Sequence, residues 1–284
     1  MKRESAPSVK QGGQLIPPPD LMKIVGSASA DSFVATGQNF FSTFKRHGGL
    51  KRSDRVLDVG CGCGRMARPL TRYLETGSYD GFDVVPELIN WCRDNITPRH
   101  ANFRFAHVDV ANSFYFGQGA KRAMQFRFPY EDAAFDFTIL ASVFTHMLMD
   151  DFVHYTGEIV RTLKPGGTAL MTFFLLNDAS RRMKEAPHSR LKFPYPHGRG
   201  ILVEDPDRPE GAVAYPEEVV RSILRASGLD VQQILFGSWC GRERAVSGQD
   251  IVIARRMSGG PERPPPTRER LKRVARRLRR WLSR

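Results

Sequence analysis

Asp58, Gly60, Gly62 and Gly64 stand at every second position of Val56-Leu57-Asp58-Val59-Gly60-Cys61-Gly62-Cys63-Gly64. The apolar run before the first glycine carries one acid and reads as a central parallel strand. The glycines read as a tight turn whose main chain can approach a ligand with no Cβ in the way, and 66–74 reads as the helix beyond it. Such a strand–turn–helix sets a ligand at the carboxyl edge of a doubly wound sheet. A dinucleotide fingerprint needs Gly-x-Gly-x-x-Gly. Three residues after Gly62 stands Arg65, so the spacing points away from that class.

The next acids fall where the same sheet would end further strands. Asp83 closes Tyr79-Asp80-Gly81-Phe82 and lies 25 residues after Asp58. An acid at that tip can accept from both hydroxyls of a ribose, and a carboxylate does so more strongly than a neutral acceptor. Phe103-Arg104-Phe105-Ala106-His107 reads as strand three and is followed by Asp109 and Val110. Phe135-Asp136-Phe137-Thr138-Ile139-Leu140 reads as strand four and runs on into Ala141-Ser142-Val143-Phe144-Thr145-His146. Glu158-Ile159-Val160-Arg161-Thr162-Leu163-Lys164-Pro165-Gly166-Gly167 reads as a helix end, a turn and the entry to strand five.

In this order the five segments resemble the class I S-adenosylmethionine-dependent methyltransferases. The resemblance implies an α/β fold: a doubly wound, seven-stranded, Rossmann-like sheet of order 3-2-1-4-5-7-6. It implies S-adenosylmethionine as cofactor, with the glycine loop around its methionine part and no pyrophosphate to cradle. The cofactor-binding residues it implies are Asp58, Gly60, Cys61, Gly62, Gly64, Asp83, Val84, Asp109, Val110 and Ala141. Among them Asp109 would accept from the adenine amino group.

At 284 residues the chain can bury a full core, and one domain with extensions is expected. No apolar run approaches the ~20 residues of a spanning helix, and the basic start lacks the apolar stretch of a secretory signal. Cys61, Cys63, Cys92 and Cys240 form no disulfide framework. Cys61 and Cys63 alternate with the loop glycines and read as small loop residues, so no metal is expected there. The reading is a cytoplasmic chain with free thiols. Net charge is +13, of which 261–284 carry +8, so the basic excess is largely a property of the tail.

Residues 1–50 read as an N-terminal extension: a polar start through Gly13, an extended segment from Ile16 to Leu21 imposed by three prolines, and a helix. Phe33, Val34, Phe40, Phe41 and Phe44 share that helix's face, and Gly48-Gly49 stop it. The methyltransferase-like domain is expected over 51–256. The connection 111–131, rich in Phe and Tyr, is long enough to be functional. Residues 175–214 read as a lid insertion for a polar or anionic acceptor. Pro216 to Ala226 reads as a helix, and 231–236 with 250–254 as an antiparallel end hairpin. Residues 257–266 form a Pro/Gly linker.

Up to about Arg256 the chain further resembles a bacterial methyltransferase group found with cell-surface polysaccharide and glycan biosynthesis. The likeness rests on Ile16-Pro17-Pro18-Pro19, the segment Gly60 to Arg65, Ser142 to Met147 and Phe173 to Asp178. Ser238-Trp239-Cys240-Gly241-Arg242 and Ser247-Gly248-Gln249-Asp250 complete it. It implies O-methylation of a glycan or related small-molecule hydroxyl. That reaction needs the acceptor aligned with the S–CH₃ bond and a base for its proton. His146, just past strand four, is the candidate catalytic base, because imidazole titrates near neutral pH. His188, His197 and Tyr215 are secondary candidates. Asp150, Asp151 and His154 could hold a divalent ion, but Asp151 suits a helix start.

Two other functions fit the same fold: RNA methylation and a non-catalytic S-adenosylmethionine-binding scaffold. Adenine-N6 enzymes of this fold carry Pro-Pro-aromatic after strand four, where this chain has Ala141-Ser142-Val143-Phe144. Cytosine-C5 enzymes need Pro-Cys, which occurs nowhere. Nucleic acid is therefore not the expected partner. The intact loop and Asp83 argue against a scaffold. In 267–284, Leu271, Val274, Ala275, Leu278, Trp281 and Leu282 form one helical stripe flanked by arginines. A basic amphipathic helix with an interfacial Trp is the pattern of a surface-lying membrane anchor, which makes an anionic membrane surface the expected partner and the location peripheral at its cytoplasmic face.

Overall fold

A computed structural model describes residues 15–117, 119–187 and 189–258. The polar start, His188, the linker beyond 258 and the basic tail helix lie outside the described residues.

Two helices precede the sheet. α1 (Pro19–Ile24) begins on a proline, which costs a first-turn position nothing because its missing N–H has no intrahelical partner. The proline segment is therefore extended only as far as Pro18, and Asp20 and Leu21, expected to be extended, are helical. α2 (Ala30–Arg46) starts with a capping box between Ser29 and Ser32 and buries Phe33, Gly37, Phe40, Thr43 and Phe44.

The sheet follows by alternation. β1 (Arg55–Val59) leads through the glycine loop to α3 (Ala67–Leu70), which is only four residues long. The expected helix over 66–74 stops there because the Thr71 hydroxyl donates back to the Arg68 carbonyl, 2.8 Å away, a local bond that competes with helix continuation. Then come β2 (Ser78–Asp83), α4 (Pro86–Asn95), β3 (Phe103–His107) and the short pair β4 (Val110–Ala111) and β5 (Lys121–Arg122). β6 (Phe135–Leu140), α5 (Met149–Thr162) and the long β7 (Leu163–Leu176) complete the parallel part. The register between β6 and β7 slips across Pro165-Gly166-Gly167, where Gly166 has φ 76°.

After β7 come α6 (Asp178–Met183), β8 (Tyr195–His197), β9 (Ile201–Val203), β10 (Val213–Pro216), α7 (Glu217–Ser227), β11 (Leu229–Leu235) and β12 (Asp250–Arg256). The main sheet runs β3-β2-β1-β6-β7, with β12 and then β11 beyond β7. That is the expected order 3-2-1-4-5-7-6. The insertion departs from the lid expectation. It starts inside β7, and β10 pairs with Phe174–Leu176 to extend the sheet through β9 and β8. Ile201 and Val203 are buried at period two and Val213 to Pro216 throughout, strand patterns masked by the polar residues around them.

Period two along β1 divides the core. Leu57 and Val59 face α5 and α7, while Val56 faces the α2–α4 side with Tyr79, Phe103 and Phe137. Asp58 shares the Val56 face and so becomes a buried acid. Asp250, also fully buried, holds the insertion to the sheet: its carboxylate accepts from Leu175 N, Gly237 N and Trp239 Nε1, each at 2.7 Å. On the other side, Arg161 donates to Glu158 at 2.6 Å and to the carbonyls of Phe128 and Tyr130, fixing the aromatic connection before β6. Among the described residues no helix is long and apolar enough to cross a membrane.

Arg161 and Glu158 are both buried, so Arg161→Met leaves Glu158 uncompensated. Unfolding in urea is expected to show a loss of about 3–5 kcal/mol; a loss below about 1 kcal/mol, the scale of an exposed pair, would contradict this role.

Candidate active site

The loop after β1 is fixed by β2. Gly60 N and Cys61 N donate to the Phe82 carbonyl at 2.8 and 3.0 Å. Gly62 N donates to Asp83 Oδ2 at 2.8 Å, and Val85 N to Oδ1 at 3.0 Å. Gly60, Gly62 and Gly64 have φ of 71°, 55° and 78°, the left-handed region that favours glycine. A Cβ on Gly60 would stand 2.6 Å from Val143 Cγ2, and one on Gly62 2.7 Å from Val25 Cγ1. The bare loop thus runs between the N-terminal segment and the turn after β6.

The acids differ in what they do. Asp58 Oδ2 accepts from Tyr79 Oη at 2.5 Å, and its Oδ1 is buried without a partner. Burial raises its pKa to about 7, the Asp83 charge adds to the rise, and the Tyr79 bond and Arg65 oppose it. Asp83 is also raised by burial, against the backbone N–H groups that lower it. Asp109 is exposed, and its carboxylate accepts from Ala120 N at 3.0 Å, a bond that ties the residue before β4 to the residue before β5. Val84 gives its carbonyl to His107 Nε2 at 3.2 Å, Val110 is buried in β4 and Ala141 half-buried after β6. The Cys92 thiol points at the Gly62 carbonyl, 3.6 Å away. Burial pushes the Cys63 thiol up to about 12 and that of Cys61 well above its ordinary value, so the loop thiols stay protonated.

These residues fit S-adenosylmethionine. Asp83 keeps lone pairs beyond its two backbone donors, as a ribose diol requires. Arg65 donates to the Val25 carbonyl at 2.7 Å and to Ser27, yet its Nε is buried without a partner. The unpartnered Asp58 oxygen and Arg65 nitrogen beside one loop match an amino-acid moiety, which carries both an ammonium and a carboxylate.

His146 lies in the turn after β6 and joins three distant segments. Its Nδ1 is 3.0 Å from the Glu210 carbonyl, which can only accept, so Nδ1 carries the proton and Nε2 the lone pair. Tyr115 Oη is 3.3 Å from Nε2. Phe114 stacks on the ring at 5.1 Å, and Asn112 Nδ2 donates to the His146 carbonyl at 3.0 Å. Burial lowers the imidazole pKa below 6.5, and the Glu210 and Gly211 backbone counters in part. Glu210 in turn accepts from the Ser113 backbone and hydroxyl. Tyr115 belongs to the Phe- and Tyr-rich connection 111–131 expected to be functional, whereas its contact with His146 and the parts of Asn112 and Glu210 escaped the sequence reading.

The secondary candidates are elsewhere. Tyr215 is buried and donates to the Met147 carbonyl, and His197 lies in β8, paired with Ile201. His154 meets the Phe126 carbonyl at 2.7 Å and Asp150 pairs with Arg199. These two do not converge with Asp151, and among the described residues no group of three metal-ligating side chains forms.

Comparison with known proteins agrees with this arrangement. A sequence family described as a methyltransferase domain matches residues 56–167. The chain is 28% identical to sterol 24-C-methyltransferase of Kluyveromyces lactis, over 62% of this chain and 45% of that protein. It is 27% identical to demethylmenaquinone methyltransferase of Deinococcus radiodurans, over 67% of this chain and 76% of that protein. The chain spans under half the length of the first three curated relatives it matches. A solved S-adenosylmethionine-dependent methyltransferase from Aquifex aeolicus superposes with a TM-score of 0.53 at 19% identity, over 84% of this chain and 99% of that one.

The Asp58 pKa gives a pH test. Its folded value, about 7, lies above the ordinary 3.8, so the protonated acid stabilises the fold fully below the unfolded value, and that contribution is lost as pH rises through about 7. Asp58→Asn is therefore expected to gain stability relative to the parent chain between pH 5 and pH 8 in thermal unfolding; a constant difference would contradict the assignment. Residues 56–167 match a family described as a methyltransferase domain, and the strand order gives the chain the class I methyltransferase fold, whose glycine loop and Asp83 fit S-adenosylmethionine.

Proposed function

We propose that the chain is an S-adenosylmethionine-dependent methyltransferase that methylates a hydroxyl of a glycan or related small molecule. The observation that carries it is the His146 ring beside the turn that touches Gly60: neutral, tautomer set by Glu210, with its Nε2 lone pair toward Tyr115. When bound, S-adenosylmethionine supplies an activated methyl group on a sulfonium. The chain's own part is to align the acceptor, exclude water and take its proton. At 3.3 Å the Tyr115 hydroxyl is loosely held on Nε2, and an acceptor hydroxyl of the same chemistry can take its place. Nε2 would then take that hydroxyl's proton, and the Glu210 carbonyl would stabilise the resulting imidazolium through Nδ1. Burial disfavours a Tyr115 phenolate by raising its pKa to about 12, which leaves the base role to His146.

The relatives compared above carry the names of sterol and demethylmenaquinone enzymes, acceptors of lipid character. A glycan carried on a lipid reconciles that likeness with a hydroxyl-directed base. The basic stripe of 267–284 supports reversible docking at an anionic membrane surface. Deleting 272–284 is expected to abolish co-sedimentation with anionic liposomes and leave S-adenosylhomocysteine affinity intact; unchanged sedimentation would refute the docking.

His146→Gln tests the transfer. With labelled methyl donor and a panel of glycans, lipid-linked glycans and RNA, the variant is expected to keep cofactor affinity and lose about 10²–10⁴ in rate. The parent's rate should fall on acidification below pH 6.5, as the base becomes protonated, and the variant should lack that limb. An unchanged rate, or the same limb in the variant, would overturn the base assignment.

A further inference from the structure

A cleft of about 290 Å³ opens between α2 and the loop joining β11 to β12. Thr36, Asn39 and Thr43 line its helix side, Ser238, Ser247 and Gly248 its loop side, and Ala245 and Val246 give it exposed apolar surface over the buried Phe40 and Ile251. The helix residues recur at three- and four-residue spacing, so one face of α2 presents them together. Its lining contains no charged side chain, on a chain with a net charge of +13. The loop wall is held by Ser238 N to the Ser247 carbonyl and Trp239 N to the Gly248 carbonyl, at 3.0 and 2.9 Å.

The cleft belongs to the carboxyl edge of the sheet. β12 runs antiparallel to β7, so its first residues, Asp250 and Ile251, pair with Phe173 and Thr172 near the end of β7. Gln249, next to the lining, accepts from the Ser142 hydroxyl at 3.1 Å. Ser142 holds a φ of 63°, an uncommon state for a residue with a Cβ, and its N–H donates to Thr172 Oγ1 at 2.7 Å. The next residue, Val143, is the one that abuts Gly60. One hydrogen bond and two peptides therefore separate the cleft wall from the contact with the cofactor loop.

Hydroxyl and amide groups that both donate and accept, beside apolar surface and without a countercharge, match an uncharged polyol ring. Such a ring offers hydroxyls at its rim and C–H groups on its faces, whereas a uronate or phosphate would find no cation among the lining side chains. We propose that this cleft is the subsite for a neutral, polyhydroxylated part of the methyl acceptor, which narrows the earlier expectation of a polar or anionic one. The inference rests on the proposed methyltransferase function for its meaning, but its binding test is independent.

The test uses the full chain, with and without saturating S-adenosylhomocysteine, and saturation-transfer NMR with methyl α-glucopyranoside, methyl α-rhamnopyranoside and methyl α-glucopyranosiduronate. The two neutral glycosides are expected to give signals and the uronate none. Thr36→Trp, which fills the cleft, and Asn39→Leu, which removes the amide, should weaken glycoside binding about tenfold, the scale of one net hydrogen bond. Calorimetry should find S-adenosylhomocysteine affinity unchanged in both variants, which also shows that they are folded. Silence from the neutral glycosides, signals that survive both substitutions, or an equal signal from the uronate would overturn the subsite. Failure to bind S-adenosylhomocysteine would count against the methyltransferase function alone, because the glycoside signal is also read on the free chain.

Discussion

Three backbone N–H groups given to β2 hold the site together. Gly60 and Cys61 use the Phe82 carbonyl and Gly62 uses the Asp83 carboxylate, so the loop of one strand is fastened to the tip of its neighbour. That arrangement requires left-handed backbone at alternate residues and leaves no room for a Cβ against Val25 and Val143. Everything packed around the loop follows from it. α2 lies close enough that a Cβ on Gly37 would fall 2.5 Å from the Arg65 carbonyl. Arg65 in turn ties the N-terminal segment to the loop through Val25 and Ser27.

The same constraint explains why Asp58 and Asp83, both read as ligand residues, carry different burdens. Asp58 sits beneath the loop on the Val56 face of β1 and accepts a hydrogen bond from the Tyr79 hydroxyl, whose own pKa burial raises. Its first effect is on the loop's foundation and on stability with pH. Asp83, at the open end of β2, joins the loop to the start of α4 through Val85 and keeps lone pairs for a ligand, whereas Asp58 offers only its one buried, unpartnered oxygen. A helix or strand period distinguishes these fates: one residue lies within the pleat, the other where the strand ends.

Local chemistry made the parallel sheet readable. Glycines, strand-ending acids and near-continuous buried runs from Val56 to Leu176 act over a few residues, and the sheet order follows from them. The insertion was less readable because its strands are short and Asp250, far along the chain, fastens it through Leu175 and Trp239. The surroundings of His146 were unreadable for a related reason. Tyr115 and Glu210 lie 31 and 64 residues away in sequence, and nothing in either's neighbours announces the meeting. The Asp109 bond to Ala120 N was unreadable for the same reason, since it joins residues 11 apart across an irregular connection.

Calorimetric titration of the full chain with S-adenosylhomocysteine tests the central claim, that the loop fastened to Asp83 is a cofactor site. Saturable equimolar binding that is lost in Asp83→Ala, with unfolding behaviour otherwise retained, is the predicted result. Absence of binding by the folded parent chain, or an affinity unaltered by Asp83→Ala, would contradict it.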